Sequence, residues 1–264
     1  MRKDARIAAF AAPTLALAVY LAAAAYPPLW EAVLSRLFPG EARLLYAPSG
    51  MFKLIGQHLA LVGFSSAFAI VAGVGLGVFV TRPTGADFFD TVADLANIGQ
   101  TFPPIAVLTL AVPLLGFGFK PTVLALSFYG VLPVLQNTIE GLRSVPDSIT
   151  ESARGMGMRP GQVLWRAELP IAAHVILAGV RVSVIVNVAT ATIGAVIGAG
   201  GLGAPIISGL VNQDPAVTLQ GGILAAGLAL ILDAYLGAAA GLSRGARLST
   251  AGANPPVTGS GVAA

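Results

Sequence analysis

About six runs of some twenty predominantly apolar residues follow one another along this chain, and a helix needs about 20 such residues to cross a bilayer core. They lie near residues 7–26, 59–81, 91–115, 121–142, 176–197 and 217–242. Hydrophobic residues make up 56% of the 264 and charged residues only 10%, where soluble domains carry about a quarter. An ordinary soluble domain is excluded, and the sequence predicts an all-α polytopic membrane protein of about six transmembrane helices. Its 32 glycines fit helices packed closely in lipid, where small residues let backbones approach.

The runs divide the chain into three parts. Residues 1–57 form an amino-terminal anchor helix and an external connection, residues 58–242 the membrane core, and residues 243–264 a low-complexity tail expected to lack structure. The basic start (Arg2, Lys3, Arg6) before the first run would also suit a signal peptide, but the run is long for one, which favours a retained anchor. Counting bases sets the orientation. With the amino terminus in the cytoplasm, that side receives Arg2, Lys3, Arg6, Arg82, Arg143, Arg154, Arg159, Arg166, Arg244 and Arg247, and the far side only Arg36, Arg43, Lys53 and Lys120. Both termini are therefore expected in the cytoplasm. The net charge of +3 reflects these short inter-helix segments and is no sign of nucleic-acid binding. There is no cysteine, hence no thiol or disulfide chemistry, and His58 and His174 lie too far apart in sequence to suggest a metal. No cofactor is expected.

One cytoplasmic stretch stands apart: "ESARGMGMRPGQVLWRAELP", residues 151–170, sets charges between flanks that carry almost none. Before it, Ser148 and Glu151 have the spacing of a capping box, which would start a helix at Ser148. Gly155 and Gly157 weaken its continuation, Pro160 can open a second helix, and Pro170 is expected to end that one. The product is a helix–turn–helix elbow outside the membrane. Met156, Met158, Val163, Leu164 and Trp165 would give it an apolar surface that calls for a partner.

This stretch resembles the "EAA" loop of the permease subunits of binding-protein-dependent ABC importers: Glu-Ala-Ala, three residues, Gly, nine residues, Ile, one residue, Leu-Pro. Glu151, Ala153, Gly157, Leu169 and Pro170 stand at matching positions, with Ser152 and Ala167 departing from the pattern. The likeness extends from about residue 58 to 242, and "GQTFPPIAVLTLAVPLLGFG" and "VILAGVRVSVIVNVATATIGAVIGAGGLG" resemble the glycine betaine, carnitine and choline permeases within that family. The resemblance implies a type I ABC importer permease fold and a non-catalytic subunit in the inner membrane of a bacterial cell. It also implies that residues 151–170 are the coupling helix docked on a cytoplasmic ATP-binding subunit. Further partners follow from it: a periplasmic or extracellular substrate-binding protein and a second permease subunit, identical or not. No ATP-binding loop of the form G-x-x-x-x-G-K-[ST] occurs in the sequence. Quaternary amines are held in aromatic cages, and a chain only 7% aromatic points to selectivity residing in the binding protein.

Other residues admit two readings. Ser183, Asn187, Thr190 and Gly194 share one helix face, either lining the translocation path or joining helices. Gln100 and Thr101, beside Pro103-Pro104, carry the same choice. Arg181 is expected to snorkel to the interface as a structural residue. Asp233 is an acid within the last run, expected to be a buried packing partner on a face of small residues, and Asp94 likewise. An ion-coupled secondary transporter or channel would use Asp233 or Asp94 for coupling. Gly73 and Gly77 indicate a close helix contact. "GAGGLG", residues 198–203, matches a dinucleotide fingerprint literally, but without the βαβ setting it reads as an irregular bend at the outer mouth.

Overall fold

The computed structural model describes residues 3–46 and 49–251, with side chains at all of these except 3–8, 100 and 242–251. Every regular element among the described residues is helical. In chain order these are α1 (Lys3–Ala25), α2 (Pro27–Leu37), α3 (Met51–Val80), α4 (Phe89–Thr101), α5 (Pro104–Leu115), α6 (Phe119–Arg143), α7 (Asp147–Gly155), α8 (Pro160–Val163), α9 (Leu169–Ala191), α10 (Gly203–Asn212) and α11 (Pro215–Ala251). A π-helical turn, Leu164–Glu168, fuses α8 to α9, and a 3₁₀ turn, Ile193–Ile197, closes α9.

Among the described residues, four helical stretches are long and apolar enough to cross a membrane: Met51–Val80, Phe119–Arg143, Pro160–Ala191 and Pro215–Gly241. Two bent pairs bring the count to as many as six. The expected third span is not continuous. Its halves meet at 98° because Pro103 forces Phe102 into extended backbone (φ −75°, ψ 132°) and supplies no N–H. The Phe102 carbonyl freed by the break accepts the Tyr129 hydroxyl, so the irregular backbone keeps a partner. At the other end α1 and α2 meet at 79°, so the expected connection after residue 26 is itself helical and α3 starts at Met51. The last helix continues through Ala251, into the tail expected to be unstructured. Residues 252–264 and Arg2 lie outside the described residues.

α6 is the centre of the bundle, packed between α3 and α9. Glycines set that closeness. A Cβ on Gly73 would stand 2.7 Å from the Val134 Cβ and one on Gly77 2.7 Å from the Thr138 Cβ, so α3 lies against α6 with no room for a side chain between them. On the other side a Cβ on Gly179 would stand 2.6 Å from the Pro133 carbonyl oxygen. With lipid no less apolar than leucine, this contact holds the helices together through van der Waals packing. α1 closes on α11: the Tyr20 hydroxyl donates to the Leu224 carbonyl at 3.1 Å, and Tyr20, Leu34, Leu54, Leu202 and Leu224 share one buried cluster.

Candidate functional site

The elbow is built by three short signals. α7 begins at Asp147 after its N-cap Pro146, two residues earlier than a capping box with Ser148 as N-cap requires; Ser148 lies inside the first turn and no side chain caps it. Asp147 places its negative charge at that amino-terminal end instead. The far end is a Schellman closure: Gly157 N–H donates to Arg154 O at 2.9 Å and Met158 N–H to Ala153 O at 3.2 Å. Gly157 itself has φ +81°, which L side chains rarely adopt. Pro160 then opens α8, where the Gln162 Oε1 accepts the Arg159 N–H at 2.9 Å.

Pro170 does not end the second helix. Leu164–Glu168 widens into a π-helical turn in which Leu169 N–H reaches back to the Leu164 carbonyl, and the helix then runs on to Ala191. The widened turn lets a residue without an N–H sit in a continuous span. Of the matched positions, Ala153 is 3% exposed, and Val163 on the other limb of the elbow is buried too. Glu151 and Pro170 are exposed and Leu169 is half-buried. Val163 therefore belongs to the elbow's interior and not to its surface, while Met156 and Trp165 project 71% and 72% exposed.

An ion pair absent from the sequence reading ties this elbow to α3. Arg82 Nη2, just past the end of α3, lies 2.6 Å from Oε2 of Glu168, whose side chain is only 8% exposed. Glu168 was visible in sequence only as one of the charges of residues 151–170, with nothing to point to Arg82.

The polar stripe of α9 is buried within this chain. Ser183 and Asn187 are fully buried and Thr190 nearly so. Asn187 Nδ2 donates to Ser66 Oγ on α3 at 3.0 Å, and a Cβ on Gly130 of α6 would stand 2.8 Å from that nitrogen. The stripe joins α3, α6 and α9. Thr101 is exposed and bonds its own helix at Ile98 O, and the side chain of Gln100 lies outside the described residues.

Asp233 pairs with Arg181: the two join α11 to α9 by a two-pronged contact. The cleft around them is also lined by His174 and Gly237. Asp94 is exposed on α4, not packed. The two acids stand on different elements and share no site.

At the opposite end of the bundle from the elbow, residues 198–203 form a loop with φ near +75° at Gly198, Gly200 and Gly201. Gln57 and His58 of α3 grip it. Gln57 Oε1 accepts the Gly201 N–H at 3.1 Å, and His58 Nδ1 accepts the Leu202 N–H at 3.3 Å. With Nδ1 accepting, Nε2 carries the ring hydrogen and donates to Val188 O at 3.1 Å. Fully buried His58 thus has both nitrogens engaged. Among the described residues no group of three or more His, Asp or Glu could hold a metal.

Residues 69–240 match the family model of the binding-protein-dependent transport system inner membrane component. The chain belongs to this family. This permease is 38% identical over 209 residues to the osmoprotectant import permease protein OsmY of Salmonella typhimurium, covering 79% of this chain and 85% of that one. It is 39% identical over 184 residues to the choline transport system permease protein OpuBB of Bacillus subtilis, covering 69% and 83%. The carnitine transport permease protein OpuCB of Listeria monocytogenes is 39% identical over 195 residues, with 70% and 88% covered. Among solved structures, the MetNI methionine ABC transporter in an inward-facing conformation superposes at a TM-score of 0.65 with 23% identity, over 73% of this chain and 95% of that one. That likeness fixes the fold as that of a type I ABC importer permease. The protein is a multi-pass membrane transport subunit, and the elbow falls inside the matched region.

Proposed function

We propose that this permease forms one half of the path by which an ABC importer takes up glycine betaine or a related quaternary amine such as choline or carnitine. A separate ATP-binding subunit docked on residues 151–170 supplies the energy. The observation that carries the reading is the elbow: a rigid helix–turn–helix held outside the spans by a Schellman turn at Gly157, presenting Met156 and Trp165 to a partner. The elbow lies in the cytoplasm by its share of the bases, with both chain termini on the same side. A second permease copy or a paralogue completes the path, and a binding protein meets the glycine-rich end of the bundle. The packing of Tyr20 against α11 supports retention of the first helix. The names of the relatives supply the solute class.

As the ATP-binding subunits close, the elbows are drawn together, and the α3–α6–α9 unit moves with them as a body because its glycine contacts leave no slack. The test is uptake of labelled glycine betaine, choline and carnitine into lipid vesicles holding the assembled complex. The reading predicts uptake that requires internal ATP and external binding protein and persists when ion gradients are collapsed. Uptake that ignores ATP and follows a proton or sodium gradient overturns it.

A further inference from the structure

An ion pair between buried Glu168 and partly exposed Arg82, whose side chain is 28% exposed, sits where the elbow meets the bundle, and its cost asks for a reason. Glu168 is 8% exposed and 2.6 Å from Arg82. Taking two charges out of water costs about as much as their attraction returns, so such a pair adds little to stability, and its clearest use is to fix one arrangement over another. The arrangement here is specific. Glu168 ends the π-helical turn that carries the elbow into α9, and π-turns inside helices concentrate at functional sites. Beside it, Leu164 and Leu169 of the elbow base and Val74 and Val78 of α3 pack against the same buried cluster of Leu142, Ala172 and Ile176. The ion pair joins the elbow base to the turn beyond that apolar contact, past the end of α3.

Arg82 is the first residue of the turn that leaves α3. Its N–H donates to Phe79 O at 3.1 Å, its carbonyl accepts the Gly85 N–H at 3.0 Å, and Gly85 presses so closely on the Phe79 carbonyl that no Cβ would fit. This tight turn runs through a 3₁₀ turn, Ala86–Phe88, directly into α4. α4 carries Asn97 along a cleft shared with Gln136 and Glu140 of α6, and it ends at the break before Pro103. A displacement of Glu168 therefore reaches α4 through three rigid steps.

We propose that Glu168 is a positioning residue: through Arg82 it delivers movement of the elbow to the α3–α4 turn, and so swings α4 with α9. This inference rests on the transport reading above. Failure of that reading shows in the parental chain as absent ATP-dependent uptake, whereas failure of this inference shows only in the variants.

The experiment uses the complex of permease, ATP-binding subunit and binding protein in lipid vesicles, with labelled glycine betaine, choline and carnitine as probes. It reads solute taken up per ATP hydrolysed for Glu168→Gln, for Arg82→Gln, and for the reversed pair Arg82→Glu with Glu168→Arg. The expected result is that both single variants still assemble with the ATP-binding subunit and still hydrolyse ATP. Uptake per ATP falls about tenfold, within the range of about 5- to 150-fold found for coupling between sites. The reversed pair recovers most of the loss. A parental ratio in either single variant overturns the inference, as does a reversed pair no better than the single variants. Loss of assembly in both single variants overturns it too, because the pair is then a folding brace and nothing more.

Discussion

Arg181 on α9 holds Asp233 on α11 with two hydrogen bonds, Nε to Oδ1 and Nη2 to Oδ2, each 2.5 Å long. Each charge would be expensive alone within a membrane span, and each is matched by the other. The acid most suited by position to ion coupling is therefore occupied in joining helices.

Removing one member strands the other. Loss of a partner from a fully buried pair costs about 3–5 kcal/mol; with side chains 41% and 28% exposed, the expected cost here is lower, about 1–2 kcal/mol. Asp233→Asn should lower the thermal unfolding midpoint of the purified permease and its level in membranes. Arg181→Leu combined with Asp233→Leu should recover both and keep ATP-driven uptake. Loss of uptake in a stable double variant would return Asp233 to the list of coupling residues.

Gly157 is required by its backbone angle and not by crowding, since nothing lies within 4 Å of the place a Cβ would take. A β-branched residue there strains the turn by about 1–2 kcal/mol or more, while Asn visits this conformation readily. Gly157→Val should loosen the elbow and weaken co-purification of the ATP-binding subunit, and Gly157→Asn should retain it. Equal behaviour of the two variants would mean that the turn geometry is not what the partner reads.

The meeting point of α3, α6 and α9 should respond as a packed joint. Gly130→Leu drives a side chain into Asn187 and Ser183, and overpacking of this kind costs about 1–3 kcal/mol. Asn187→Ala leaves Ser66 without its buried bond, a loss of about 1–3 kcal/mol. Both variants should unfold at lower temperature, with an unchanged preference among choline, carnitine and glycine betaine. A changed preference would instead place this stripe on the path.

The grip on the glycine-rich loop gives a separate expectation. His58→Phe frees the buried Leu202 N–H at a cost of about 1–3 kcal/mol. It should reduce the stimulation of ATP hydrolysis by binding protein more than the hydrolysis seen without it. Equal reduction of both would make the grip purely a brace.

Helices with a lipid-length apolar run were legible because the solvent dictates them: α6 lies within two residues of its expected ends at each side. The elbow was legible from Pro160 and Gly157, whose backbone demands are local. What escaped depends on neighbours distant in sequence. Pro170 reads locally as a stop, and only the π-helical turn before it shows why the helix continues. Arg82 and Glu168 are 86 residues apart by their numbers, and no periodicity announces that they meet. The pairing of Arg181 with Asp233 was hidden for the same reason, since the two stand on different helices. The polar stripe of α9 was visible as a stripe, but its contacts with Ser66 and Gly130 come from two other helices and have no local signal.

The central claim is that the elbow is the seat of a separate ATP-binding subunit, and Trp165, 72% exposed, is its most direct reporter. A photo-activated cross-linking residue at position 165, in membranes containing the whole transporter, should capture the ATP-binding subunit, identified by mass. The same residue at position 64, where Phe64 is 65% exposed on α3 and remote in sequence from the elbow, should not capture it. Capture at 165 alone is the predicted result. Capture at neither position, or equally at both, would contradict the docking of the energy-supplying subunit at residues 151–170.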